Sequence, residues 1–285
     1  LFYFLLHFLL FIKTLKDIAI YLYMKITKHI SFFYSPDRIC YINKIIDKTN
    51  YYKFITDIFI HTNSNNLKTD LLNTYTNGSI NIIIHDLSKI NPFYLTWKCR
   101  DLLLKQIDEY DIFMYIEDDI LVPSKAIEYW LDYNEQLIEM NLNLGFLRVE
   151  INNNEEYVTD LYGEKFDSIL NINNTKYCIN NKNPYCAFWI YNKKEFNKFV
   201  ESKYYNISNI SEYELYGIRE KSGVGLHGIE INWYRGTIIP IIGDKLIESC
   251  KIYHLKNNYV VNNETLFSTI KFNDAISNSV SEIMM

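Results

Sequence analysis

Between Lys28 and Met140 the chain switches repeatedly between short apolar runs and apolar residues spaced three and four apart. The runs "KHISFFY" (28–34), "TDIFIHT" (56–62), "INIIIHD" (80–86) and "YDIFMYI" (110–116) predict strands. The stretch "SPDRICYINKIIDKTN" (35–50) predicts a helix, with Ser35 as N-cap and Pro36 at the first helical position. A second helix is expected over 92–110, where Leu95, Cys99, Leu102, Leu103 and Ile107 share one face. A third is expected over 123–140, capped by Ser124, with Ile127, Trp130, Leu131 and Ile138 facing inward. The polar stretch 63–78 between them predicts a loop with one helical turn.

The second half is less regular. Residues 144–151, 185–192 and 246–255 predict strands and 193–202 a helix. The Asn-rich stretch 171–183 reads as an irregular insertion, and 217–236 holds five glycines. Continuously apolar strands alternating with amphipathic helices predict an α/β fold, with a mostly parallel central sheet flanked by helices. Right-handed crossovers bring the carboxyl ends of its strands to one edge, where open sheets bind ligands. No internal repeat and no linker interrupts the pattern, so a single domain over 24–285 is expected.

The apolar run at 1–12 is too short to span a bilayer before Lys13, Lys16 and Asp17 intervene. Residues 1–23 read either as a signal anchor, giving membrane association, or as an extra amphipathic helix. Composition adds three constraints. A net charge of −5 supplies no broad positive field and excludes nucleic acid as the expected partner. The five cysteines form no C-x-x-C pair and are odd in number, which favours a reducing, cytoplasmic compartment over a disulfide framework. Asn, Ile, Lys and Tyr are favoured in core and loops alike, so motifs built from Asn or Lys carry little weight, and the Asn-x-Ser/Thr sequons are not evidence of secretion.

One stretch stands against this background. "YDIFMYIEDDILVP" (110–123) runs five apolar residues into Glu117, Asp118 and Asp119 and resumes apolar character at once. Three carboxylates beside a low-dielectric groove repel one another unless a cation neutralises them. Hard divalent cations take oxygen ligands, and Mg²⁺-type sites use one or two carboxylates together with water and substrate phosphate. An acidic turn at a helix N-terminus is the plainer alternative.

The segment "MYIEDDILVPSKAIEYWL" resembles the metal-binding segment of GT-A-fold glycosyltransferases, whose D-x-D motif ends a central strand. Its E-D-D form, followed by a proline and an aromatic helix, is most similar to the N-acetylglucosaminyltransferase I group. The resemblance implies a GT-A-like domain and Mn²⁺ or Mg²⁺ held against a UDP- or GDP-sugar. It implies Asp119 as the main metal ligand, Glu117 as a second ligand or a ribose contact, and Asp118 contacting ribose or the transferred sugar. It also implies a late-strand histidine as a further metal ligand; His254 matches that position, with His227 behind it.

Other candidates come from position and chemistry. Arg100 suits bidentate phosphate or base recognition. Tyr34, at the end of the first strand, would stack on a base, and Asp86, at the end of the third, would meet ribose or base. Gly223, Gly225 and Gly228 permit a loop that closes over a nucleotide. Glu230, just beyond that loop, is the expected base for the acceptor hydroxyl, with Asp160 and Glu150 as competitors. The expected activity is metal-dependent transfer of a sugar from a nucleotide diphosphate to a hydroxyl of a glycan, lipid or protein. A non-catalytic nucleotide- or glycan-binding protein on a degenerate transferase scaffold is the alternative.

Overall fold

The computed structural model describes residues 24–71, 74–210, 216–229, 231 and 234–284. The apolar segment 1–23 and Glu230 lie outside the described residues. The first half runs β1 (Lys25–Phe32), α1 (Ile39–Thr49), β2 (Ile55–Thr62), α2 (Leu67–Asp70), β3 (Ile80–Ile84), α3 (Arg100–Lys105), β4 (Ile112–Glu117), β5 (Ile120–Leu121) and α4 (Ser124–Glu139). The second half runs β6 (Leu142–Leu144), β7 (Leu147–Asn152), β8 (Glu155–Val158), β9 (Phe166–Ile172), β10 (Thr175–Ile179), β11 (Phe188–Asn192), α5 (Lys193–Glu201), α6 (Ile218–Ser222), β12 (Gly236–Ile242), β13 (Lys245–Leu246), β14 (Lys251–His254), β15 (Ile270–Lys271) and β16 (Ile276–Met284).

The central sheet has the order β11-β4-β1-β2-β3, parallel except for β11. β4 is apolar from Ile112 to Ile116 because both of its faces are covered, whereas β1 and β2 interleave buried polar residues such as Lys28, His29 and His61. In β4, Ile112, Met114 and Ile116 pack into one core cluster while Phe113 and Tyr115 pack into another. The mostly parallel sheet is thus present, but it is not the whole architecture. A six-stranded mixed sheet joins β13, β12, β10, β9 and β16, with β6 beside β12. A five-stranded mixed sheet has the order β15-β8-β7-β14-β5. The fold is mixed α/β with more sheet than expected, and one buried apolar cluster runs from Ile26 through Val149 to Phe166.

Four local expectations are corrected. Residues 92–110 are not one helix: a 3₁₀ segment, Pro92–Trp97, precedes the short α3. Ser35 makes no capping hydrogen bond; it precedes a 3₁₀ turn, Pro36–Arg38. Pro123, not Ser124, is the N-cap of α4, and the Ser124 hydroxyl donates to Glu128 Oε1 at 3.3 Å. The expected insertion at 171–183 is largely a hairpin, β9 to β10, turning at Asn173 and Asn174 with φ of 49° and 64°. Asn153 and Asn154 turn β7 into β8 in the same way, with φ of 50° and 63°. Two consecutive positive φ values are what a two-residue type I′ hairpin needs, and Asn tolerates them.

Buried polar groups tie the central sheet together. Lys28, fully buried, donates to Thr49 Oγ1 (2.8 Å) and reaches the Tyr52 hydroxyl (3.1 Å). Tyr52 in turn donates to the carbonyl of Val122 (2.6 Å), fixing the chain just beyond the acid triplet. Across β1–β3 three imidazoles form a row. His29 Nδ1 lies 2.9 Å from His61 Nε2, His61 Nδ1 lies 2.9 Å from His85 Nε2, and His29 Nε2 lies 2.9 Å from Gln106 Oε1. Burial lowers His29 to about 3 and holds His61 well below its usual value.

These imidazoles are neutral in the fold and ionise near 6.5 when exposed. Their contribution to stability is present above pH 6.5 and is lost as the pH falls toward the folded values. His29→Asn removes one such group while keeping polar character. Urea unfolding at pH 7 and pH 5 is expected to show the wild type losing about 1–2 kcal/mol more than the variant on acidification. Equal losses would show that His29 is not held neutral.

Candidate functional site

The site is assembled by the meeting of the central sheet with the five-stranded mixed sheet. β4 ends at Glu117, and Asp118 and Asp119 form the turn into β5. β5 pairs antiparallel with β14, setting His254 opposite Ile120, and Leu255 N donates to Asp119 O at 2.8 Å. β14 also runs parallel to β7, which places Glu150 beside His254. A turn, a late strand and a central strand, far apart in sequence, therefore deliver three side chains to one point.

His254 Nε2 lies 3.5 Å from Asp119 Oδ2, and His254 Nδ1 lies 2.6 Å from Glu150 Oε1. Glu150 is fully buried and also accepts from Val260 N (2.6 Å), Tyr259 N (3.3 Å) and Ser268 Oγ (3.1 Å). It is a fixed anchor: a carboxylate this saturated orients the imidazole and fixes which nitrogen faces Asp119. The Tyr259 ring stacks on His254 at 5.5 Å.

The acids themselves are buried and held by cations. Arg38 Nη2 donates to both Asp118 Oδ1 and Asp119 Oδ2 at 2.7 Å. Asp118 Oδ2 is buried and without a partner, as is Arg38 Nε. The Tyr185 hydroxyl donates to Glu117 Oε1 at 3.1 Å, and Arg219 Nε lies 3.6 Å from Glu117 Oε2. Burial, only partly offset by Arg219, raises Glu117 to about 7. Asp118 is also raised, by burial and by the charge of Asp119. For Asp119 burial again opposes ionisation, but the His254 hydrogen bond, with His254 and Arg38 as opposite charges, outweighs it and holds the carboxyl low. His254 is raised: burial opposes its charge, and its hydrogen bonds to Asp119 and Glu150 favour it. Among the described residues no three carboxylate, imidazole or thiol groups converge as a ready-made metal cage. Arg38 Nη2 instead bridges Asp118 and Asp119.

Beside the acids opens a cleft of about 510 Å³. Arg219 and Tyr185, the two side chains on Glu117, form part of its wall. At its edge Arg148 makes a two-point pair with Asp160 (2.6 and 3.1 Å). Tyr162, Tyr259 and Phe267 supply aromatic surface on one part of the lining and Tyr216 on another.

The other expected site residues fall as follows. Arg100 is buried, with its guanidinium 4.0 Å from the Trp97 ring; it donates to the carbonyls of Tyr204 (3.1 Å), Tyr205 (2.7 Å) and Ser222 (3.4 Å). It therefore holds α6 in place. The Tyr34 hydroxyl donates to Asp70 Oδ2 at 2.6 Å, and exposed Asp86 accepts from Ser88 N at 2.9 Å. His227 is buried 3.8 Å from Cys186 Sγ, and burial lowers it to about 3. The glycine-rich loop does not stand free as a lid. Val224 and Leu226 are fully buried, and at Gly225 (φ 59°) a Cβ would lie 2.3 Å from the Tyr191 hydroxyl. Arg38 and Arg219 were not singled out by the sequence. Their signal was position alone, Arg38 six residues beyond the end of β1 and Arg219 at the head of the glycine-rich stretch.

No protein-family model matches the chain, and no curated protein matches it; the residues themselves carry the functional reading. Arg38→Met leaves Asp118 and Asp119 facing each other without their shared donor. In EDTA, urea unfolding is expected to show a loss of about 1–3 kcal/mol. Adding Asp118→Asn is expected to recover part of that loss, because it removes one of the two facing charges. No destabilisation in Arg38→Met would mean the acids are not mutually repelling.

Proposed function

We propose that the chain is a metal-dependent glycosyltransferase of the GT-A type, acting on a nucleoside-diphosphate sugar. The observation that carries this reading is the meeting of Asp119 with His254 at the carboxyl edge of a parallel sheet, with Glu150 buried behind the imidazole. The donor set fits a divalent cation such as Mn²⁺ or Mg²⁺. It offers carboxylate oxygens, one of them (Asp118 Oδ2) buried without a donor, and an imidazole nitrogen whose opposite edge is anchored. Asp119 and His254 would hold the ion, with Glu117 or Asp118 assisting. Such a cation supplies Lewis-acid stabilisation of a departing diphosphate.

The chain's own groups do the rest. Glu150 keeps His254 Nε2 turned toward Asp119, and Tyr185 and Arg219, which line the cleft, hold Glu117 behind them. The cleft would admit the acceptor, and Tyr185 and Arg219 in its lining connect it to Glu117. Asp160 lines it and burial raises its carboxyl, but both of its oxygens accept from Arg148, which leaves neither free for an acceptor hydroxyl. The base is therefore proposed to remain Glu230, on its sequence position. A second reading, a nucleotide- or glycan-binding protein without turnover, is favoured by one observation: Arg38 already pairs with two of the three acids.

Calorimetry with UDP and GDP separates the cases. Binding that requires Mn²⁺ and disappears in Asp119→Ala supports the reading; no binding of either nucleotide with Mn²⁺ defeats it. Glu150→Gln is expected to weaken Mn²⁺ by about 10- to 100-fold through the misoriented imidazole. Once a donor sugar is found, Glu230→Gln is expected to lower kcat by about 10²- to 10⁴-fold with nucleotide affinity unchanged. Nucleotide binding with no diphosphate release over hours would favour the second reading.

A further inference from the structure

Arg38 holds a position that conflicts with an open metal site, and that conflict has content. The residue ends the 3₁₀ turn Pro36–Arg38, directly beyond the carboxyl end of β1. β1 is the parallel neighbour of β4, and Ser31 pairs with Glu117 in register, so the turn after β1 lies alongside the acids. One guanidinium nitrogen, Nη2, makes both short contacts to the acid pair. Nε, on the same rigid plane, is buried with no partner. A guanidinium has five donors in a planar fork, suited to two-point contact with phosphate as well as carboxylate.

We propose that Arg38 is an exchangeable counter-ion: it closes the acid pair in the metal-free protein and moves to the diphosphate of the donor when a divalent cation takes its place. The inference rests on the function proposed above. Asp118 and Asp119 cannot stay buried and ionised without a positive partner. A divalent cation arriving alone must displace a guanidinium already bonded at 2.7 Å, and the displaced charge would then stand beside another positive charge. A diphosphate removes that penalty, because its oxygens accept both the cation and the freed fork. Cation and nucleotide are then expected to bind with positive coupling, each raising the affinity of the other by the same factor. The device keeps free Mn²⁺ or Mg²⁺ from occupying the site without substrate. It also gives the protein a stable ground state in the absence of both ligands.

The test is Mn²⁺ binding followed by electron paramagnetic resonance, which needs no turnover. Wild type, Arg38→Met and Arg38→Lys are titrated with Mn²⁺ alone and with Mn²⁺ at saturating UDP or GDP. Wild type is expected to bind Mn²⁺ weakly alone and at least about tenfold more tightly with the matching nucleotide. Arg38→Met is expected to bind Mn²⁺ alone about tenfold more tightly than wild type and to lose most of the enhancement by nucleotide. Arg38→Lys, which keeps a charge without the planar fork, guards against a folding defect in the methionine variant and is expected to lie between the two. Equal or weaker binding of Mn²⁺ alone by both variants overturns the exchange while leaving the metal site standing. Enhancement by nucleotide that is unchanged in both overturns it equally. Absence of Mn²⁺ binding from all three proteins, with and without nucleotide, removes the proposed function and the exchange together.

Discussion

The arrangement depends on one electrostatic constraint: three consecutive carboxylates are buried at the end of a strand covered on both faces. Each of Glu117, Asp118 and Asp119 is less than a tenth exposed, and each acquires a positive or hydrogen-bonding partner from a different part of the chain. Arg38 comes from the turn after β1, His254 from β14 and Arg219 from α6. A burial this costly forces those elements to meet, and the topology follows. The sheet containing β5, β14 and β7 brings His254 and its anchor Glu150 to the acid turn.

The same logic explains how the segment that carries Arg219 is held. Trp97 Nε1 donates to Ile218 O at 2.7 Å, Trp189 Nε1 to Ser222 O at 3.2 Å, and Arg100 joins the latter. The Tyr115 hydroxyl lies 3.0 Å from both Ser31 Oγ and Ser222 Oγ, and Ser222 donates to Arg219 O at 2.6 Å. Helix α6 is only five residues long and has no side-chain N-cap, so its own hydrogen bonds would not hold it. It is suspended from the central sheet, and the suspension sets where the Arg219 guanidinium meets Glu117. Arg100 thus contributes through placement of another arginine.

How much of this was legible in the sequence differs by region for physical reasons. The strands of the central sheet were readable because each carries a short apolar core, continuous in β4 and interrupted by buried polar residues in β1 and β2, and the extent of β2 matches the pattern within a residue. The acid triplet was readable because charge at the end of such a run is costly. The second half was less legible because strands such as β8 and β10 are short and only partly buried; β12, with Ile238, Ile239 and Ile241 buried, is an apolar run that the sequence reading passed over. Its punctuation was present but discounted. Asn173–Asn174 were read as part of an irregular insertion and Asn153–Asn154 were passed over, whereas their backbone values make them hairpin turns. The helix expected over 92–110 failed because periodicity reports a buried face, not the hydrogen-bond pattern beneath it; Leu95 and Leu103 are indeed buried, on two different kinds of turn. Arg38 was illegible in principle, since nothing local links residue 38 to residues 118 and 119.

Energetic comparison gives the acid cluster its meaning. Replacing a buried ion pair by apolar side chains of like volume is often neutral or stabilising, so stability alone does not call for Asp118 and Asp119 beside Arg38. The arrangement also leaves Asp118 Oδ2 and Arg38 Nε unpartnered within a few bonds of their ion pair, which a cluster kept only for structure would be expected to satisfy. A carboxylate oxygen and a guanidinium nitrogen left unpartnered on the two sides of one ion pair are the groups that would respectively accept a cation and donate to an anion. A bound species carrying both charges, a divalent ion on a diphosphate, satisfies the two together, and neither half does so alone. That complementarity, more than the likeness of the E-D-D segment to any other, is why a departure from local consistency at this strand end points to chemistry.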